Sequence, residues 1–136
     1  MGIGMHVILT WGLAFYFASA VYATEGDAVY YEPPYTPSAC YQTQDKGPWV
    51  AGVRQELWEN RAACGRRYRV RCIGPAFGND NPCKQQQGNG VEVQVADFCQ
   101  APCNGTINLS QDAFNKTADL KAGRIKVQFD QYFLLP

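Results

Sequence analysis

Apolar and polar residues alternate from Val91 to Ala96, with Val91, Val93 and Val95 on one side and Glu92, Gln94 and Ala96 on the other. That period predicts a strand with one buried face. Asp97 stands where the alternation stops, and Cys99 and Cys103 bracket the next turn. The pattern then changes character. Ser110 has the side chain of an N-cap, and Leu109 and Phe114 flank it at the spacing of a hydrophobic staple. The helix is expected to run to about Leu120, with Gly123 as its C-terminal cap residue. One polar surface should therefore carry Asp97 and Asn108.

Other stretches show the same strand pattern. Asp27–Tyr31 (DAVYY) reads as a first strand. In Arg67–Cys72, Tyr68, Val70 and Cys72 point one way and Arg67, Arg69 and Arg71 the other, with Gly65 opening the strand. Arg124–Phe129 (RIKVQF) reads as a last strand with Ile125, Val127 and Phe129 inward. Between them, prolines at 33, 34 and 37 rule out regular structure over Glu32–Ser38, leaving a rigid loop that presents Tyr35. Val53, Leu57 and Trp58 have the spacing of a short helix with a core-facing side. Ile73–Gly90 is a loop rich in Gly, Asn, Pro and Gln, anchored by Cys83. Strands separated by loops, with two short helices, predict a small mainly β barrel.

The first 23 residues carry no charged side chain, and their apolar run from Val7 to Ala20 is short for a membrane span. They are expected to form a signal peptide, cleaved after Ala23 or after Ala20, leaving one domain over residues 24–136 and no membrane anchor. Twelve basic and twelve acidic residues balance, so neither nucleic acid nor anionic lipid is an expected partner. The single histidine, His6, lies in the leader, which excludes triads built on histidine from the domain. Six cysteines in an exported chain predict three disulfides, with the pairing left open. No metal or other cofactor is expected, because the domain has neither imidazole nor a CxxC pair. Asn104, Asn108 and Asn115 each begin a glycosylation sequon. The arginine stripe is either a solvated strand face or a contact surface for an anionic polymer or a receptor.

The run AACGRRYRVRC, the preceding LWEN, the loop PPYTPSACY and the segments ADFC and NLSQDAF resemble the plant natriuretic peptide group. These are small relatives of expansins, including the citrus blight-associated type, with a domain similar to family-45 endoglucanases. The resemblance implies a six-stranded double-psi β-barrel stapled by Cys40–Cys64, Cys72–Cys83 and Cys99–Cys103. It also implies two acids in a groove. Asp97 matches one, but the other position is Asn108, and Val29 stands where a threonine is usual. An amide cannot protonate a leaving oxygen. Asp97, Asn108 and Tyr31 would then form a vestigial groove without catalysis. The implied role is that of a secreted, apoplastic, monomeric signalling protein in water and solute homeostasis and stress response. Its receptor or polymer contact would comprise Trp58, Arg66, Arg67, Arg69 and Arg71. The alternative is a cell-wall polysaccharide binder using Tyr30, Tyr31, Tyr35 and Asp97.

Overall fold

The computed structural model describes residues 23–84, 88, 90–99 and 103–134. The expected leader, apart from Ala23, lies outside the described residues. Six strands are present: β1 (Thr24–Tyr31), β2 (Val50–Val53), β3 (Arg67–Pro75), β4 (Gly90–Phe98), β5 (Ile107–Ser110) and β6 (Ile125–Tyr132). They close in the order β1-β5-β2-β4-β3-β6. β1 runs parallel to β5, and β2 parallel to β4; the other neighbours are antiparallel. Closure leaves no free sheet edge, so the backbone groups of even the four-residue strands find partners.

The alternation in β3, β4 and β6 supplies the core. Tyr68, Val70 and Cys72 meet Val91, Val93 and Val95, with Ile125, Val127 and Phe129 completing the wall. Phe114 is fully buried and closes one end of it. Each such aliphatic or aromatic side chain contributes about 1.5–3 kcal/mol through burial. The disulfides are Cys40–Cys64, Cys72–Cys83 and Cys99–Cys103.

The structure corrects two expectations. Val53 belongs to a strand, not to a helix face with Leu57 and Trp58: all four residues of β2 are buried between β4 and β5, so the sequence VAGV carries no alternation. Helix α1 is a single turn, Gln55–Trp58. Helix α2 spans Gln111–Thr117 and stops short of Leu120. There the backbone is drawn into other bonds: Lys84 N donates to Thr117 O, Asp119 N donates to Pro82 O, and Cys83 bridges Ala118. Gly123 (φ 68°) instead closes a separate 3-10 turn, Leu120–Ala122. The cap is as expected: Ser110 Oγ accepts from Ala113 N at 3.1 Å. The same hydroxyl donates to Pro48 O.

Candidate functional site

Strict alternation would send Asp97 into the core behind Val91, Val93 and Val95. A bulge prevents this. Ala51 pairs with Val95 but Gly52 pairs with Asp97, so Ala96 has no residue opposite it on β2. The extra residue re-aims Asp97 out of the barrel interior. On the other side of β2, Gly52 pairs with Asn108. Asp97, Gly52 and Asn108 thus form one row across β4, β2 and β5, with a glycine in the middle. Two strand spacings put the outer backbones roughly 10 Å apart. A Cβ on Gly52 would lie 3.3 Å from the Asp97 carbonyl oxygen and 3.6 Å from its Cβ. A side chain at Gly52 would therefore crowd the Asp97 backbone.

This row underlies a groove of about 720 Å³, with Asp97 and Asn108 both in its wall. Its other side is the loop at Pro37–Gln42, seated by Cys40 N donating to Ala96 O at 2.9 Å and by the Cys40–Cys64 disulfide. Asp97 Oδ1 accepts from Ala39 N and Phe98 N, each at 3.0 Å. Those bonds fix the carboxylate and leave Oδ2 without a partner among the described residues. Asn108 Oδ1 is buried with no hydrogen bond, as is the Tyr31 hydroxyl. Burial, and then the Asp97 charge, push the Tyr31 phenol above its ordinary pKa. Among the described residues Asp97 is the one carboxylate in the groove wall.

Tyr31 does not line the groove; its ring packs edge-on against Tyr35 at 5.3 Å. The Tyr35 hydroxyl donates to Asp112 Oδ2 at 2.6 Å. Tyr30, although at the groove wall, packs its ring at a tilt against Phe114, centroids 4.9 Å apart, and so serves the core. Three tyrosines expected to face a sugar are thus largely committed elsewhere. Ser38, Ala39, Gln42 and Asn104 are groove residues that pattern reasoning missed. The first three depend on a loop placed by a disulfide, which leaves no local signal.

The five residues of the expected contact surface divide. Trp58 lies 5.4 Å from Phe98, and Arg66 pairs with Glu59 at 3.1 Å in the turn before β3. Arg67, Arg69 and Arg71 do share the outer face of β3. Of the sequons, Asn104 and Asn115 are exposed, whereas Asn108 sits within β5 with its acceptor buried.

The double-psi β-barrel family model described as "Lytic transglycolase" matches residues 50–129. EG45-like domain containing protein 2 of Arabidopsis thaliana is 54% identical over 107 residues, covering 79% of each chain. The chain belongs to the EG45-like, double-psi β-barrel family. A second EG45-like domain containing protein, from Citrus jambhiri, is 41% identical over 133 residues, covering 96% of this chain and 99% of that one. Among solved structures, a mutant Clavibacter michiganensis expansin in complex with cellohexaose matches this EG45-like chain with a TM-score of 0.63 and 25% identity. The match covers 85% of this chain and 54% of the expansin, so the chain spans about half the length of that protein. A Streptomyces papain inhibitor shares the fold, with a TM-score of 0.53 and 24% identity over 80% of this chain and 94% of that one. The EG45-like protein is therefore expansin-like in family and in fold.

Proposed function

We propose that this is a secreted, non-hydrolytic wall-associated protein that holds a neutral β-linked glucan in the Asp97 groove. One observation carries the reading: the groove wall holds a single fixed carboxylate, Asp97, and an amide, Asn108, at the second position. Hydrolysis with inversion needs two carboxyl groups, one as acid and one as base. A lone carboxylate beside amide and hydroxyl groups suits hydrogen bonding to sugar hydroxyls instead. The expansin with cellohexaose supports that ligand class. Residues 1–23 are the proposed leader and 24–136 the working domain, acting as a monomer outside the cell.

The test is binding of cello-oligosaccharides to wild type and Asp97→Asn, alongside release of reducing sugar. Binding that weakens at least severalfold in Asp97→Asn, with no sugar released, supports the reading. Wild-type sugar release abolished by Asp97→Asn would replace it with a hydrolase.

A second reading, signalling in water and solute homeostasis through Trp58–Cys72, is favoured by one feature. Glu59, Asn60 and Arg61 are three successive non-glycine residues at positive φ (51°, 53° and 76°). Such backbone is costly and tends to be kept at working surfaces. Swelling of protoplasts, which have no wall, separates the two: a response there without glucan affinity would favour a receptor.

A further inference from the structure

A second hollow, of about 630 Å³, shares no described wall residue with the Asp97 groove. It lies over the outer face of β3 and β4 and reaches Trp49, Lys46 and Lys116. Its chemistry follows from the register. On this face the arginines of β3 occupy the middle of three rows. Arg71 sits between Gly90 and Gln128, Arg69 between Glu92 and Asp130, and Arg67 between Gln94 and Tyr132. Two of these arginines are used internally. Arg69 pairs with Glu92 Oε1 at 2.9 Å, and Arg71 donates to Gln128 Oε1 at 2.6 Å. Neither Arg67 nor Arg71 has a carboxylate in its row, and of those two only Arg67 lines this hollow, beside Tyr132.

Beyond Arg67 the cations continue. Lys116 Nζ lies 5.1 Å from the Trp49 ring centre and Lys46 Nζ 4.5 Å from that of Tyr41. Neither lysine forms an ion pair among the described residues. Among the described residues the hollow is walled by four cations and one carboxylate, in a chain whose formal net charge is zero. It also holds two aromatic side chains, Trp49, 43% exposed, and Tyr132. Past Arg69 a smaller hollow of about 280 Å³, lined also by Asp130, continues toward Arg71 and Gln128.

We propose that this face binds an acidic polysaccharide, a linear polyuronate, with Arg67, Lys46 and Lys116 on its carboxylates and Trp49 against a sugar ring. Arginine and lysine favour carboxylates through charge-assisted hydrogen bonds. Aromatic faces add an apolar platform that suits a ring and has no use for the flexible side chains of an acidic peptide. The elongated track fits a polymer better than a single anion. With the neutral-glucan groove elsewhere on the barrel, the protein would engage two wall polymers at once.

The experiment is titration of the purified protein with sodium polygalacturonate, its methyl ester and polyglutamate at two salt concentrations. Wild type is expected to bind polygalacturonate more weakly at the higher salt, and to bind the ester and polyglutamate at least about tenfold more weakly. Arg67→Gln and the double variant Lys46→Gln/Lys116→Gln should each lose about tenfold or more, Trp49→Ala severalfold, and Arg71→Gln less than about twofold. Asp97→Asn should leave this affinity unchanged, so the two sites can fail separately. Equal binding of polyglutamate would overturn the proposal in favour of an acidic peptide. Equal losses in Arg67→Gln and Arg71→Gln, or no binding of polygalacturonate, would overturn it outright.

Discussion

Asn108→Asp restores the second acid of the groove, and its cost can be worked from the structure. The new carboxyl would take the place of an amide whose oxygen is buried and unpaired. Desolvating it without a partner costs roughly 1–3 kcal/mol. It would also face Asp97 across Gly52, and two charges roughly 9 Å apart at an effective dielectric near 20 repel by about 2 kcal/mol. Both effects raise the folded-state pKa of the new acid. The folded state then holds its proton more tightly than the unfolded chain. The variant should therefore approach wild-type stability below about pH 4 and lose stability as pH rises from there through its folded pKa. The deficit at neutral pH should reach roughly 2–4 kcal/mol, a shift of about 1 M or more in the urea midpoint. Urea denaturation of wild type, Asn108→Asp and Asn108→Gln at about pH 4 and about pH 7 measures it. Asn108→Gln is the control for loss of the sequon. Ser110→Ala would remove the sequon too but would break a helix cap. A deficit in Asn108→Asp that is the same at both pH values would refute the reasoning. Sugar release by this variant should be at most a trace, because Val29 still occupies the neighbouring strand position opposite Asn108.

Further outcomes follow from the same geometry. Ser110→Ala removes the cap of α2 and the donor to the Pro48 carbonyl, and should cost roughly 2 kcal/mol by urea denaturation. Asn60→Gly relieves one left-handed residue and should raise stability by about 1 kcal/mol, read as a higher thermal midpoint. Gly52→Ala should fold but crowd the Asp97 carbonyl, lowering cello-oligosaccharide affinity more than stability. Cys99→Ser/Cys103→Ser, which opens a loop with a sequence separation of 4, should cost less than Cys40→Ser/Cys64→Ser, which opens one of 24. Thermal denaturation of the two double variants compares them.

The sequence by itself determined the half-buried strands. Val91, Val93 and Val95, Tyr68, Val70 and Cys72, and Ile125, Val127 and Phe129 each carry an alternation that has one low-energy placement around a core. It also determined the start of α2, because a cap is a local interaction between Ser110 and the backbone three residues on. The tertiary structure alone decided the rest. β2 is buried on all sides, so VAGV lacks the polar half of the alternation and looked helical with Leu57 and Trp58. The end of α2 depends on bonds from Pro82–Lys84, remote in sequence. Asp97 was legible at the end of its strand, but its direction comes from a bulge opposite Gly52, a mismatch between two strands that neither strand encodes alone. The arginine stripe was legible as a stripe. What each arginine faces was not, because that depends on the residues of β4 and β6 that register places beside it: Glu92 and Asp130 beside Arg69, Gly90 and Gln128 beside Arg71, and Gln94 and Tyr132 beside Arg67.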